Sequence, residues 1–157
     1  MAVEAISTAG LKVLWAAETS VGSRPQTSYK TLDGVKALPA FGDSVNTLQT
    51  TNLAQTVCHT YIPGLADSGG SMQLTVNDAP LFRTSFDSMY SAYVSAHSAG
   101  KGFWLQYQYP SAYGMSAFYV PVTLAPLGFG GATVDAVLEN NVNVIPTGDF
   151  LFAAAST

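Results

Sequence analysis

Cys58 and His59 are neighbours in the sequence, and a thiol beside an imidazole is a pairing from which a nucleophile could be built. Successive residues of a strand project to opposite faces, however, so within a strand these two cannot readily pair. The other histidine, His97, falls on the apolar side of a helical pattern, and both histidines read better as structural residues than as a base or ligand. No G-x-S-x-G elbow is present; "GMSAF" (Gly114–Phe118) lacks the second glycine. The ten carboxylates are dispersed and never adopt the spacing of a calcium loop, and a single cysteine cannot form an intramolecular disulfide or a Cys-rich zinc site. "GFGGAT" (Gly128–Thr133) follows a dinucleotide fingerprint for three positions, then places threonine where the last glycine belongs and leads into a strand. A carboxylate pair for glycoside cleavage stays open, since any two acids can converge in space. The expectation is a protein that is not an enzyme and needs no cofactor or metal.

The stretch "HTYIPGLADSGGSMQLTVNDAP" (His59–Pro80) is the other place where chemistry could sit. Glycines cradle a phosphate when a helix starts directly after them and aims its free N–H groups at the anion. Here "SMQLTVN" follows, with Met72, Leu74 and Val76 on one face of a strand. Pro63, Gly64, Asp67, Gly69 and Gly70 therefore read as turn chemistry.

Those residues need elements to position them. "LKVLWAAE" (Leu11–Glu18) reads as a strand with Trp15 inside, and Thr19–Thr31 as a long exposed loop, of the kind that is functional or disordered. "VKALPAF" (Val35–Phe41) and "TVCHTYI" (Thr56–Ile62) look like strands, with "GDSVNTLQTTNLAQ" between them ambiguous. A helix over about 79–98 is well signalled. Asp78 is placed to cap it through the Leu81 N–H, and Pro80 sits in the first turn. Phe82, Phe86, Met89, Tyr90, Tyr93 and His97 share one face, and Gly100 closes it. The aromatic stripe reads as core. Strands follow in Gly102–Tyr109, Met115–Ala125 and Thr133–Ile145. One helix among many strands favours a mainly β fold, an antiparallel sandwich or partly open barrel flanked by the helix.

The totals narrow the function further. The chain has 157 residues, room for a single domain with a substantial core. Only 10% of its residues are charged, well below the roughly 25% of ordinary soluble domains. Mean hydropathy is +0.22, yet no apolar run approaches the ~18 residues of a membrane span. No secretory signal is evident at the N-terminus. A chain so poor in charge suits burial against copies of itself, although an uncharged Ser-, Thr- and Asn-rich β domain is an alternative. The net charge is −4, and six scattered Lys and Arg form no cluster for tight nucleic-acid binding.

Three segments in order, "ISTAGLKVLWA", "YIPGLADSGG" with "LTVN", and "PLGFGGATVDAVLENNVNVIPTG", resemble the major tail (tail tube) proteins of long-tailed bacteriophages across Ile6 to Gly148. The resemblance implies a structural virion protein, assembled in the host cytoplasm, forming stacked hexameric rings around a lumen through which DNA passes without specific binding. It implies as partners the chain itself and other tail proteins: tape measure, tail terminator and distal tail protein. It places an inter-ring loop at about 19–31, with Val21, Arg24 and Tyr29 as candidates, and stacking contacts in an N-terminal arm (about 1–9) and a C-terminal tail (about 149–157). Pro63, Gly64, Asp67, Gly69 and Gly70 become a candidate turn at a subunit contact. Some relatives carry an appended immunoglobulin-like domain, and none is expected here. The lumen is expected to hold more Asp and Glu than Lys and Arg. Other readings are a tail-completion or head decoration protein on a related scaffold, and a carbohydrate-binding module using Trp15 and Trp104. Those two aromatics lie in apolar strands, which favours core packing.

Overall fold

The computed structural model describes residues 4–155. Positions 1–3 of the anticipated N-terminal arm and 156–157 of the C-terminal tail lie outside the described residues. The fold is mainly β: a curled antiparallel half-barrel with one α-helix. The strands are β1 (Lys12–Ala17), β2 (Lys30–Thr31), β3 (Val35–Ala37), β4 (Ser44–Gln49), β5 (Tyr61–Asp67) and β6 (Met72–Asn77). After helix α1 (Pro80–Ser98) come β7 (Phe103–Gln108), β8 (Ala117–Leu124), β9 (Glu139–Pro146) and β10 (Leu151–Ala153). The main sheet runs β2-β1-β7-β8-β9-β6-β3, with β10 added to β8, while β4 and β5 pair only with each other. Strand β8 turns the corner. Its first half pairs with β7 (Leu105↔Val120) and its second half with β9 (Leu124↔Val144).

The period-2 pattern gives the sheet its main core face, although Leu14, Ala16, Gln106 and Tyr119 are also buried on the opposite face of β1, β7 and β8. Val13, Trp15, Phe103, Leu105, Tyr107, Val120, Val122, Val142, Val144, Met72, Leu74 and Val76 all face one core. Helix α1 covers that core by its Phe82, Phe86 and Met89, lying against β1, β7 and β8. Trp15 stacks on Phe103 with ring centroids 5.7 Å apart. Burial of so many aliphatic and aromatic side chains, each worth roughly 1.5–3 kcal/mol, is the main stabilising term.

Several boundaries differ from the sequence reading. Asp78 does not cap the helix: Ala79 is at the N-cap, and Asp78 instead accepts two hydrogen bonds from Arg83, at 2.6 and 2.7 Å. A bidentate guanidinium offers a carboxylate more than one backbone N–H does. At the other end Gly100 takes φ +70°, and its N–H and that of Lys101 reach His97 O and Ala96 O. His97 is exposed, stacked on Tyr93, and not part of the buried face. The strand expected from Val35 ends at Ala37, and the one expected from Thr133 begins only at Glu139. Positive φ at Gly131 (+84°) and Asp135 (+58°) breaks the extended run between them. Residues 30–31 leave the predicted loop and pair with β1.

Candidate assembly surfaces

The catalytic candidates stay apart. Cys58 and His59 lie not in a strand but in the exposed tip between β4 and β5, where His59 Nδ1 meets Gln49 Nε2 at 2.9 Å and Thr51 Oγ1 at 3.2 Å. Among the described residues no group of three His, Cys, Asp or Glu could hold a metal ion. Among the described residues no helix is long and apolar enough to cross a membrane. What the molecule presents instead is uncovered apolar surface.

One such surface is the β4–β5 hairpin, an arm with every residue of β4 exposed and all but one of β5. Between Asp43 and Asp67 the sequence has no Asp, Glu, Lys or Arg. Along the arm Val45, Leu48, Tyr61, Ile62 and Leu65 are open to solvent, and Leu53 and Val57 at its tip are almost wholly so, at 105% and 94% exposure. Exposed apolar patches of this kind commonly mark surfaces that another molecule covers.

Pro63 and Gly64 sit inside this arm, correcting their reading as a turn. Val45 pairs with Ala66 and Thr47 with Pro63, so Asn46 alone faces Gly64 and Leu65 in a β-bulge. A Cβ on Gly64 would stand 3.0 Å from Asn46 O, so the close approach favours glycine. Asp67 ends the strand, and its Oδ1 accepts the Gly69 N–H at 3.0 Å. With Gly69 at φ +83°, this is an Asx-type turn that returns the chain to β6. Gly70 has open space around its Cβ position.

The loop from Thr19 to Tyr29 is divided in role. Val21 is 70% exposed at its tip. Arg24 and Tyr29 fold back on the chain's own sheet: the Arg24 guanidinium lies 4.1 Å from the Tyr119 ring centre, and Tyr29 packs edge-on to the same ring. Tyr29 donates its hydroxyl proton to Pro25 O at 3.0 Å, and burial pushes that hydroxyl up to about 12. Glu18 holds the base of the loop. Its carboxylate accepts from the N–H groups of Gly22 and Gly102 and from Trp104 Nε1, each at 2.9 Å. Burial alone would raise its pKa, but these three bonds more than offset that and hold it below the usual carboxylate value. Trp104 is thereby committed to the loop anchor, and Trp15 to the core.

A second apolar stretch, residues 127–138, exposes Phe129 (74%), Val134 (92%) and Val137 (70%). At its start Asn140 Nδ2 donates to Gly128 O at 2.7 Å. Neither this stretch nor the arm was recognised as a surface from the sequence. The available signal was the long absence of charge between Asp43 and Asp67.

The architecture is a curled antiparallel half-barrel with one helix, extended by an apolar arm. No family model matches the chain, and no curated protein does. Among solved structures, the chain is similar to the tail of an empty gene transfer agent particle refined helically with C6 symmetry. The TM-score is 0.59 at 13% identity, covering 96% of this chain and 100% of the other. It is similar to the cap that terminates the tube of the anti-feeding prophage (TM-score 0.62, 12% identity, 99% and 95% covered). It is also similar to the SPP1 tail tube (TM-score 0.51, 12% identity, 94% and 78% covered). At this level of identity the likeness is one of fold, and it spans nearly the whole chain.

Proposed function

We propose that this protein is a structural component of a phage-type tail, whose copies associate into six-membered rings that stack into a hollow tube for DNA. The observation that carries the proposal is the fold shared along 96% of the chain with a tail of C6 symmetry, joined to an arm whose apolar residues have no partner within the monomer. In this role the arm covers neighbouring copies, with Val21 and the Asp67–Gly70 turn as further contacts. The free sheet edges find partners in adjacent subunits, which removes the hazard of open edges. The tape measure, tail terminator and distal tail proteins would meet the ends of the tube, in the virion tail, after assembly in the host cytoplasm.

The likeness to a tube-terminating cap supports a second reading, a completion protein that closes one ring and stops. Sedimentation of the purified protein over a range of concentrations separates them. A tube protein forms open-ended polymers that lengthen with concentration; a completion protein stops at one ring; a chain monomeric throughout, even with a tail initiator complex added, contradicts both.

A further inference from the structure

The outward face of β6 and β9 is rich in amides and hydroxyls where the two strands pair. It carries Gln73, Thr75 and Asn77 from β6 and Glu139, Asn141 and Asn143 from β9, in the cross-strand pairs Gln73↔Asn143, Thr75↔Asn141 and Asn77↔Glu139, and Ile145, 44% exposed, continues the same side of β9 beyond the end of β6. Thr75 Oγ1 donates to Asn141 Oδ1 at 3.4 Å. Glu139 is the one acid of this face, and it is paired with Lys36 from the adjoining edge strand β3. Where β6 and β9 pair, the face is therefore hydrogen-bonding and of zero net charge, with its only two charges engaged with each other.

The other exposed surfaces differ in kind. The arm and residues 127–138 are apolar and suit burial between copies. The solvent side of α1 mixes Arg83 and Asp87 with serines and with the exposed Leu81 and Val94. We infer that the β6–β9 face lines the bore of the tube and is the wall against which DNA slides; the inference rests on the tube reading above. A polyanion adheres by exchanging counterions for each Lys or Arg it meets. A wall without a free cation offers no such exchange, and amides and hydroxyls stay hydrated beside a moving phosphate backbone. This differs from the acidic lumen expected from net charge: the wall is non-adhesive by neutrality, not by repulsion.

Cysteine accessibility in assembled tubes tests it. In a Cys58→Ser background, Asn141→Cys and Gln73→Cys are prepared separately, with Ser91→Cys on the exposed side of α1 as the outer control. Tubes are treated with biotin-maleimide and then with streptavidin, a protein too bulky to enter a narrow bore. The expected result is biotin on position 141 or 73 without streptavidin capture until the tubes are dissociated, whereas position 91 is captured at once. Streptavidin capture at 141 and 73 on intact tubes would put this face outside and overturn the inference. So would loss of biotinylation on assembly, or failure of both variants to assemble while Cys58→Ser does, since either makes the face an interface. If Cys58→Ser and the wild-type chain both form no tubes, the tube reading itself falls and the inference with it.

Discussion

Glu18 shows how one side chain organises a remote segment. It satisfies a loop N–H (Gly22), a strand-entry N–H (Gly102) and an indole N–H (Trp104), the last two lying 84 and 86 positions away. Removing it leaves three donors without their acceptor, at about 1–3 kcal/mol for each one left buried. We therefore expect Glu18→Ala to lower the thermal midpoint by several degrees and to free the 19–29 loop to proteolysis, measured by melting and by limited thermolysin cleavage ahead of the exposed Val21. The pH dependence has a definite sign. A carboxyl held below its ordinary value contributes stability that is present above the unfolded pKa and lost as pH falls through the folded one. Melting curves taken from neutral pH down through about pH 4 should fall more steeply for the wild type than for Glu18→Ala. None of this was legible in the sequence, where Glu18 closes a strand pattern. Its partners are backbone groups, and backbone N–H groups leave no signature in residue type. Trp15, by contrast, was legible as core, since an aromatic residue in an alternating run has few other places to go.

At the scale of elements, what could be read was what buries one face. Phe103, Leu105 and Tyr107, like Met72, Leu74 and Val76, alternate because the core demands it, and helix α1 was evident from its apolar stripe. The arm escaped because β4 and β5 bury neither face, so no alternation marks them. Proline and glycine at 63 and 64 looked like a turn because a bulge calls on the same residue types. Since β4 and β5 pair only with each other, replacing residues 44–67 by a short linker should leave the curled sheet folded, with a melting midpoint near that of the wild type, and abolish tube formation. A shortened chain that still builds tubes would remove the arm from the account. Glycine 130 makes a sharper local test. A Cβ there would lie 2.3 Å from Glu139 O and 3.0 Å from Asn140 Cα, whereas nothing stands within 4 Å at Gly128. Gly130→Ala should destabilise the start of β9 by about 1–3 kcal/mol, and Gly128→Ala should be close to neutral, both read from denaturant unfolding.

The whole molecule is low in charge where it exposes apolar surface, and that has a consequence for assembly. In the proposed tube, interfaces made by the arm and by residues 127–138 would contain few ion pairs to screen, so polymer yield should hold as sodium chloride rises and increase in sulfate, as judged by pelleting. A yield that collapses with salt would point to charged contacts instead. Composition is consistent with the proposed assembly, since 10% charge is little for a monomer in water. It could not say which surfaces meet, because that depends on a curl of the sheet set by strand β8 pairing first with β7 and then with β9. The most direct test of the central claim is electron microscopy of the concentrated protein, with rotational averaging of end-on views. The account predicts hollow tubes of stacked rings with six-fold symmetry. Single closed rings that never stack, or particles that stay monomeric at every concentration with an initiator complex present, would contradict it.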